Sequence, residues 1–303
     1  MRAQKTIGVI GGSGLYDIAG LSDVREQRIE TPYGDPSDAY VIGDLDGVRM
    51  IFLPRHGRGH RFLPSEVNYA ANIYGMKQLG AEFILSVSAV GSLREQIRPG
   101  HVVLPDQFID RTRGTRRSTF FGDGVVGHVS FGDPICPRLH GSLAAAARQH
   151  TTSDELHLRA THVVMEGPAF STRAESNLYR SWGADTIGMT NLPEAKLARE
   201  AELCYATLAL PTDYDCWKQD EKEVSVDAVV AVLHKNVARA RAIIRSLAAQ
   251  VRDLAPHDGH ICPCPNAARY AVMTAGDHLP AAARQRLAVI LGRHLPPPAG
   301  SHS

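Results

Sequence analysis

Two carboxylates, Asp213 and Asp215, stand two residues apart just after an apolar run. The run, residues 206–210, is typical of a short buried strand, and ligands of α/β proteins bind beyond the carboxyl ends of such strands. Because side chains two residues apart on extended backbone point the same way, the pair could hold two neighbouring polar atoms on one ligand edge, such as N7 and N6 of a purine. The alternative is a pair of solvated loop acids beside Lys218 and Lys222.

A glycine-rich stretch, Gly11-Gly12-Ser13-Gly14, follows the apolar, β-branched run of residues 6–10. At such a strand end, backbone N–H groups and the Ser13 hydroxyl suit an anion. A dinucleotide-binding loop would need a glycine where Asp17 stands, and the Gly-Lys-Ser/Thr of a P-loop is absent from the sequence. A plain tight turn is the other interpretation.

A basic loop, residues 54–60, follows a second apolar run. Arg55 could clamp an oxyanion through two donors, and its replacement by alanine is then expected to weaken anion binding while leaving the fold intact. His56 and His60 could instead bind a metal, but the charge of Arg58 between them disfavours a cation. A solvated basic turn is the remaining interpretation.

The composition is that of a soluble globular chain, with 303 residues, 44% of them hydrophobic and 21% charged. Thirty-three Lys and Arg against 32 Asp and Glu leave a net charge of +1, which argues against a nucleic-acid or membrane partner. We see no signal-peptide or membrane-helix pattern, and therefore expect a cytoplasmic location. The five cysteines are too few and too scattered for a disulfide framework.

Alternating apolar runs and helix-like segments predict an α/β fold. The runs expected to form strands are residues 6–10, 39–45, 48–53, 83–87, 101–104, 161–165, 186–189 and 206–210. The expected helices are residues 64–79 with Ser65 as N-cap, an Ala-rich segment ending near residue 150, a segment to residue 182 capped by Ser171 or Thr172, residues 192–203, a long helix from residue 225, and residues 281–293. Residues 106–133 are expected to be a long functional or subunit-contact loop.

The last fifty residues differ in composition and are rich in proline. We expect a domain of residues 1–255, followed by a capping extension of residues 256–303 with a helix and a disordered tail. His257, His260, Cys262 and Cys264 could ligate zinc, but Cys-x-Cys is tighter than the usual spacing. A redox pair or two inert thiols at Cys262 and Cys264 is therefore favoured over a structural metal.

Taken together, the motifs resemble those of the 5′-methylthioadenosine phosphorylases, a branch of the trimeric purine nucleoside phosphorylases. The resemblance spans about residues 6–250. It is carried by Gly11-Gly12-Ser13-Gly14-Leu15, Arg55-His56-Gly57-Arg58, Val67-Asn68-Tyr69, Gly91-Ser92-Leu93-Arg94-Glu95, Glu166-Gly167-Pro168, and residues 106–111, 171–176 and 212–217.

The resemblance implies a single-domain nucleoside phosphorylase fold with a mixed central β-sheet flanked by helices. It also implies a homotrimer, or a hexamer made of two trimers, that acts on methylthioadenosine and phosphate. Inorganic phosphate would be a co-substrate, and no metal or organic cofactor would be needed. Ser13 and Ser88 stand where the family often has threonine, and the hydroxyl is kept.

The site residues implied by the resemblance fall into three groups. Phosphate would be bound by Ser13, Arg55, His56, Ser88, Ala89 and Thr190. The base would meet the catalytic pair Asp213 and Asp215, with Tyr214, Phe170 and Ser171 nearby, and the ribose would meet Met189. The 5′ substituent would lie against Val226, Val229 and Val230, with His128 contributed by a neighbouring subunit.

The expected reaction is phosphorolysis, in which Asp213 protonates N7 of the departing adenine and needs a raised pKa to do so. Two alternatives remain open. The chain could prefer 6-oxopurine nucleosides such as methylthioinosine, inosine or guanosine, although family enzymes with that preference carry Asn and Glu at the positions of Asp213 and Ser171. It could also be a purine-binding module without catalysis.

Overall fold

The computed structural model describes residues 4–218, 226–255 and 262–296. Within these residues eleven strands form one sheet. They are β1 (Thr6–Gly11), β2 (Ser22–Gln27), β3 (Tyr40–Leu45), β4 (Val48–Pro54), β5 (Phe83–Ser92), β6 (Val102–Val103), β7 (Gln107–Arg111), β8 (Leu156–His157), β9 (Thr161–Met165), β10 (Thr186–Gly188) and β11 (Cys204–Asp213).

The sheet is mixed, as the family resemblance implies. Its main path runs β2-β3-β4-β1-β5-β10-β9-β7, while β11 pairs with β5 and β6, and β6 pairs with β8. β1 lies parallel to β4 and to β5, and β11 lies parallel to β5. β1 is buried over its whole length, which explains why its sequence is a continuous apolar run.

Six α-helices flank the sheet within the described residues. They are α1 (Tyr69–Gln78), α2 (Pro137–Ala147), α3 (Arg173–Ser181), α4 (Asn191–Glu200), α5 (Val226–Arg252) and α6 (Ala281–Leu291). Thr172 caps α3 through a capping box with Glu175, as its position in the sequence predicts. None of the described helices is both long and apolar enough to span a membrane.

The dipeptide Asp46-Gly47, which is typical of two-residue hairpin turns, joins β3 to β4. Both turn residues have positive φ, 52° for Asp46 and 84° for Gly47, as a two-residue hairpin turn requires.

Three predictions of local structure are wrong. The helix expected from residue 64 begins only at Tyr69, because the Asn68 side chain caps it by accepting a hydrogen bond from the Ala71 N–H. The residues before it form a separate turn, in which the Leu63 N–H donates to the Glu66 carboxylate. Residues 107–111 form β7 beside β9 and are not loop. Finally, β11 continues to Asp213, so this acid belongs to the strand and does not follow it.

The C-terminal segment packs onto the sheet domain. Leu287 and Leu291 of α6 belong to the same hydrophobic core as the residues of β1 and β5. The buried Glu202 carboxylate accepts hydrogen bonds from the Ala268 N–H at 3.1 Å and from the Arg293 side chain, and it pairs with the His294 ring at 2.9 Å. One buried acid therefore contacts three residues of this segment.

Candidate active site

The sheet register brings the predicted site loops together. Because β4, β1, β5 and β11 are neighbours and all run parallel, their carboxyl ends meet at one edge. The glycine-rich loop follows β1, the basic loop follows β4, and Asp213 ends β11. Ser88 lies in the second half of β5, between these loops.

Arg55 is not a free clamp but half of a buried ion pair with Glu194 of α4. Its Nε donates to Glu194 Oε2 at 2.8 Å and its Nη2 to Oε1 at 3.0 Å, and the two side chains are 3% and 0% exposed. Nη2 also donates to Ser86 Oγ at 2.7 Å, and Nη1 donates to the Val87 carbonyl at 3.2 Å. The guanidinium has five N–H donors, so one Nη1 hydrogen is left for a ligand.

The His56 ring has a defined tautomer. Its Nδ1 lies 2.8 Å from the Phe62 carbonyl, and since a carbonyl can only accept, Nδ1 carries the proton. The pKa of His56 is lowered to about 4, mainly by burial and in part by the positive charge of Arg55 and the nearby His60 ring, while the hydrogen bond to the Phe62 carbonyl opposes this shift. The ring is therefore neutral at pH 7, and its Nε2 can accept a hydrogen bond.

Two further hydroxyls lie at this edge. Ser88 Oγ is buried and has no hydrogen-bond partner within the described residues, an arrangement that costs free energy until a ligand completes it. Thr190 is the N-cap of α4, yet its side chain makes no capping bond to that helix. Ala89, the next residue of β5, is exposed.

Ser13 opens a short 3₁₀ turn, Ser13–Tyr16, directly after β1. Only its backbone belongs to the described part of the chain.

The acid pair is held by its own hydrogen bonds. Asp213 Oδ2 accepts from the Thr212 hydroxyl at 2.7 Å, and Oδ1 accepts from the Asp215 N–H at 2.8 Å. Asp215 has a φ of 52°, so the chain turns sharply there, and the alternation of an extended strand does not explain the pairing. A Cβ at Gly91 of β5 would lie 3.2 Å from Asp213 Oδ1, so glycine lets the strand approach.

The sequence analysis expects a raised pKa at Asp213, whereas the structure shows a raised pKa at the neighbouring Asp215. Burial raises the pKa of this carboxyl, the nearby Ser176 hydroxyl lowers it, and the Asp213 carboxylate raises it again. Asp215 Oδ2 is buried and makes no hydrogen bond with the described residues. It is therefore an open polar position beside Asp213.

The chain around and after the acid pair, residues 214–217, is fixed by hydrogen bonds to its surroundings. The Trp217 indole donates to the Ser92 carbonyl at 2.8 Å, and the Tyr214 hydroxyl donates to the Glu95 carbonyl at 3.2 Å. The Cys216 thiol donates to the Ser171 carbonyl at 3.2 Å, which ties the 171 loop to the acid pair. In that loop Phe170 is 66% exposed.

A model of the phosphorylase superfamily matches residues 6–249. The chain belongs to this superfamily. An S-methyl-5′-thioadenosine phosphorylase of Geobacter sulfurreducens is 58% identical over 292 residues, covering 96% of this chain and 100% of its own. The protein of the same name in Koribacter versatilis is 55% identical over 293 residues, covering 96% and 97%.

Solved structures agree with this membership. A crystal structure of a methylthioadenosine phosphorylase sourced from an antarctic soil metagenomic library has a TM-score of 0.89 and 49% identity, covering 96% of this chain and 100% of that chain. A mutant adenosine/methylthioadenosine phosphorylase of Schistosoma mansoni, in complex with methylthioadenosine, has a TM-score of 0.76 and 37% identity, covering 85% and 94%.

Two side chains that support this phosphorylase-family site were missed by the sequence analysis. Glu194, the partner of Arg55, lies 139 residues away from it in the chain. Arg116 pairs with Glu166 at 2.9 Å and donates to the Met189 carbonyl at 2.5 Å. Both are buried charges within ordinary-looking charged stretches, and no local pattern marks such long-range pairs.

The structure describes only part of the group of residues predicted to contact a 5′ substituent. Val226, Val229 and Val230 lie at the start of α5, and their side chains are outside the described part of the structure. His128 is exposed, and its N–H donates to the Ala271 carbonyl at 2.9 Å. Its loop thus packs against the C-terminal segment of the same chain.

Proposed function

We propose that this chain catalyses the phosphorolysis of S-methyl-5′-thioadenosine to adenine and 5-methylthioribose 1-phosphate. The observation that carries the proposal is the placement of Ser88 and Gly91 on one strand, β5. The Ser88 hydroxyl, which has no hydrogen-bond partner among the described residues, would bind the anion at one end of the site, and Gly91 lies beside the acid pair at the other end. Three residues of strand span about 10 Å, which leaves room for one ribose ring between a phosphate and a base.

The chemistry of glycosidic cleavage fits these two ends. As the bond from C1′ to the base breaks, positive charge develops on the ribosyl ring and negative charge on the base. A phosphate oxygen attacks C1′ from the opposite face, the bonding pair leaves with the base, and a proton reaches N7. We assign the N7 proton to Asp213 and the N6 amino group to Asp215, whose Oδ2 is the open position described above.

The phosphate contacts are proposed in the same way. An oxygen of the phosphate dianion can accept a hydrogen bond from the remaining Nη1 hydrogen of Arg55, and the phosphate hydroxyl can donate to His56 Nε2. The Ser88 and Thr190 hydroxyls, the Ala89 backbone and the loop at Ser13 complete the proposed set. None of these contacts needs a metal or an organic cofactor.

The substrate contacts proposed around the nucleoside follow the sequence analysis. Phe170 would cover the base beside Ser171 and Tyr214, and Met189 would contact the ribose. Val226, Val229 and Val230 would contact the methylthio group, with His128 from a neighbouring subunit. The proposed assembly is a homotrimer, or a hexamer made of two trimers, and the expected cytoplasmic location stays a prediction.

The deciding assay measures adenine release from methylthioadenosine with and without phosphate. Release that requires phosphate and yields a sugar 1-phosphate is the expected result. Release in phosphate-free buffer at an equal rate would indicate hydrolysis, and binding without release would indicate a purine-binding module. The same assay with methylthioinosine and inosine tests the 6-oxopurine alternative, which Asp213 and Ser171 disfavour.

A further inference from the structure

Four of the five cysteines form one cluster. The Sγ atoms of Cys136, Cys204, Cys262 and Cys264 all lie within 4.8 Å of one another, and all four residues are buried. The sequence analysis weighed Cys262 and Cys264 only with each other and with His257 and His260, which lie outside the described residues. The structure instead joins them to two cysteines from the sheet domain.

The two sheet-domain cysteines stand on rigid backbone. Cys136 is the N-cap of α2, and its N–H donates to the Tyr205 carbonyl at 2.9 Å. Cys204 is the first residue of β11, and its N–H donates to the Glu82 carbonyl at 3.0 Å. Both thiols are therefore held in place by secondary structure that does not depend on the C-terminal segment.

The spacing of the sulfur atoms fits a tetrahedral metal site. Cys262 Sγ lies 3.4 Å from Cys136 Sγ and 3.4 Å from Cys204 Sγ. A Zn–S bond of about 2.3 Å in a regular tetrahedron separates its sulfurs by about 3.8 Å, a value within the spread of this cluster. We propose that these four cysteines bind one Zn²⁺ as a closed tetrathiolate site that joins the C-terminal segment to the sheet domain.

A metal explains the arrangement better than a disulfide does. Cys262 is equally close to two different partners, so the geometry selects no single pair, whereas a tetrahedral ion uses all four sulfurs. The tight Cys-x-Cys spacing is no obstacle, because these two residues supply only half of the ligands. Pro263 between them adopts a right-handed helical conformation, with φ of −77° and ψ of −10°, which bends the chain around the cluster.

The N-terminal end of α2 can offset part of the negative charge that such a site carries. Binding replaces four thiol protons by one Zn²⁺, and the resulting centre has a net charge of −2. The Leu139 N–H points at Cys136 Sγ from 3.5 Å, at the positive end of the eleven-residue helix α2.

The position of the site indicates a structural role. All four ligands come from the protein, which leaves no open coordination position for a substrate. Residues 271–273 of the same C-terminal segment pair with residues 126–128 of the loop that carries His128. Loss of the metal should therefore loosen the C-terminal segment first and this loop second.

The first experiment measures metal in untagged, full-length protein purified without chelators. Elemental analysis should find one zinc per chain, and replacement by Co²⁺ should give the intense visible and near-ultraviolet bands of a tetrahedral thiolate site. Purified protein that contains no metal and takes up neither Zn²⁺ nor Co²⁺ after full reduction would overturn the proposal. So would stoichiometric iron, or an intact mass lower by two hydrogens per cysteine pair in freshly isolated protein.

Variants then assign the ligands. Cys204→Ser and Cys264→Ser should lose most of the zinc, while Cys216→Ser, which removes the one cysteine outside the cluster, should keep it. If a cluster variant fails to fold, titration of wild-type protein with a mercurial decides, because zinc should be released as four thiols per chain react. Zinc content that is the same in all three variants would contradict the assignment. Removal of zinc by a chelator should lower Tm, and added Zn²⁺ should restore it.

Discussion

Arg55 shows how a residue proposed to bind a ligand can also hold the fold. In Arg55→Ala the Glu194 carboxylate stays buried without its cation, and breaking such a pair costs about 3–5 kcal/mol. We therefore expect a large fall in Tm as well as a raised phosphate KM, in contrast to the unaffected fold expected from the sequence. Thermal unfolding and phosphate kinetics measure the two effects.

A second substitution separates the two roles of Arg55. Arg55→Ala combined with Glu194→Gln removes the unpaired charge, so part of the lost stability should return while the phosphate KM stays high. An unchanged Tm in Arg55→Ala alone would show that the buried pair contributes nothing to stability.

The acid pair carries a prediction about specificity. In Asp213→Asn the amide oxygen can still accept from the Asp215 N–H, and the Thr212 hydroxyl can accept from the amide NH₂, so the loop should keep its shape. Asparagine accepts from N7–H and donates to O6, whereas an ionised Asp213 opposes O6 with another acceptor. A mispaired buried contact costs about 1–3 kcal/mol, so the ratio of kcat/KM should move about ten- to a hundredfold toward methylthioinosine.

The measurement is kcat/KM for methylthioadenosine and methylthioinosine in both proteins. Asp215, which would still face O6, can leave the change in specificity partial. An equal loss on both substrates would mean that Asp213 does not contact the base.

At the scale of elements, the sequence predicts best those strands that are buried or tightly patterned. β9 has the predicted bounds, and the β3–β4 hairpin follows from Asp46-Gly47. β2 was missed because its sequence is mostly polar and exposed, so that only pairing with β3 makes it a strand. β7 was missed for a similar reason, since Gln, Asp and Arg outnumber its two apolar residues. Edge strands depend on long-range pairing that local patterns do not contain.

The C-terminal end of α4 carries a prediction about pH. Burial raises the pKa of Glu200 to about 7, although its carboxylate accepts from the Phe120 N–H at 2.6 Å and the Thr119 hydroxyl at 2.7 Å. An acid with a raised folded pKa stays protonated in the folded protein while the unfolded chain ionises. Below about pH 4.5 the carboxyl is protonated in both states, so Glu200 does not lower the free energy of unfolding. Between about pH 4.5 and pH 7 it lowers the free energy of unfolding progressively.

The predicted penalty at pH 8 is on the order of 3 kcal/mol. Glu200→Gln should remove it, so the free energy of unfolding of wild type should fall more steeply between pH 4.5 and 7 than that of the variant. Urea unfolding at a series of pH values provides the comparison. Parallel curves for the two proteins would show that Glu200 does not titrate in this range.

At the scale of the whole molecule, the sequence predicts which loops form the site but not what supports them. Ser13, Arg55 and Asp213 could be assigned to one edge, because each follows or ends an apolar strand and parallel strands end together. The partner of Arg55 and the full set of clustered cysteines could not be found. Glu194 and Cys136 lie far from their partners in the chain, and their own surroundings are unremarkable in sequence.

The proposed trimer rests on a surface that the fold leaves apolar. Val126 and Met273 are 55% and 67% exposed, and the Met273 N–H donates to the Val126 carbonyl, so the two lie side by side near His128. Tyr270, which is 83% exposed, belongs to the same C-terminal segment as Met273. Apolar residues that gather in this way on a surface mark an interface between proteins. We therefore predict that this region meets a second copy of the chain and brings His128 to the neighbouring nucleoside site.

Three variants test this interface and its link to the site. Val126→Asp together with Met273→Asp should convert the trimer to monomers and weaken methylthioadenosine binding, because each site then loses His128 from its neighbour. The matched control is Val24→Asp, an equally exposed valine on the edge strand β2, which should keep the trimer mass. His128→Ala should raise the KM for methylthioadenosine without changing the mass measured by analytical ultracentrifugation. A wild-type protein that is monomeric and fully active on dilution would contradict both the interface and the shared site, since a site completed by a neighbour must weaken when the neighbour leaves.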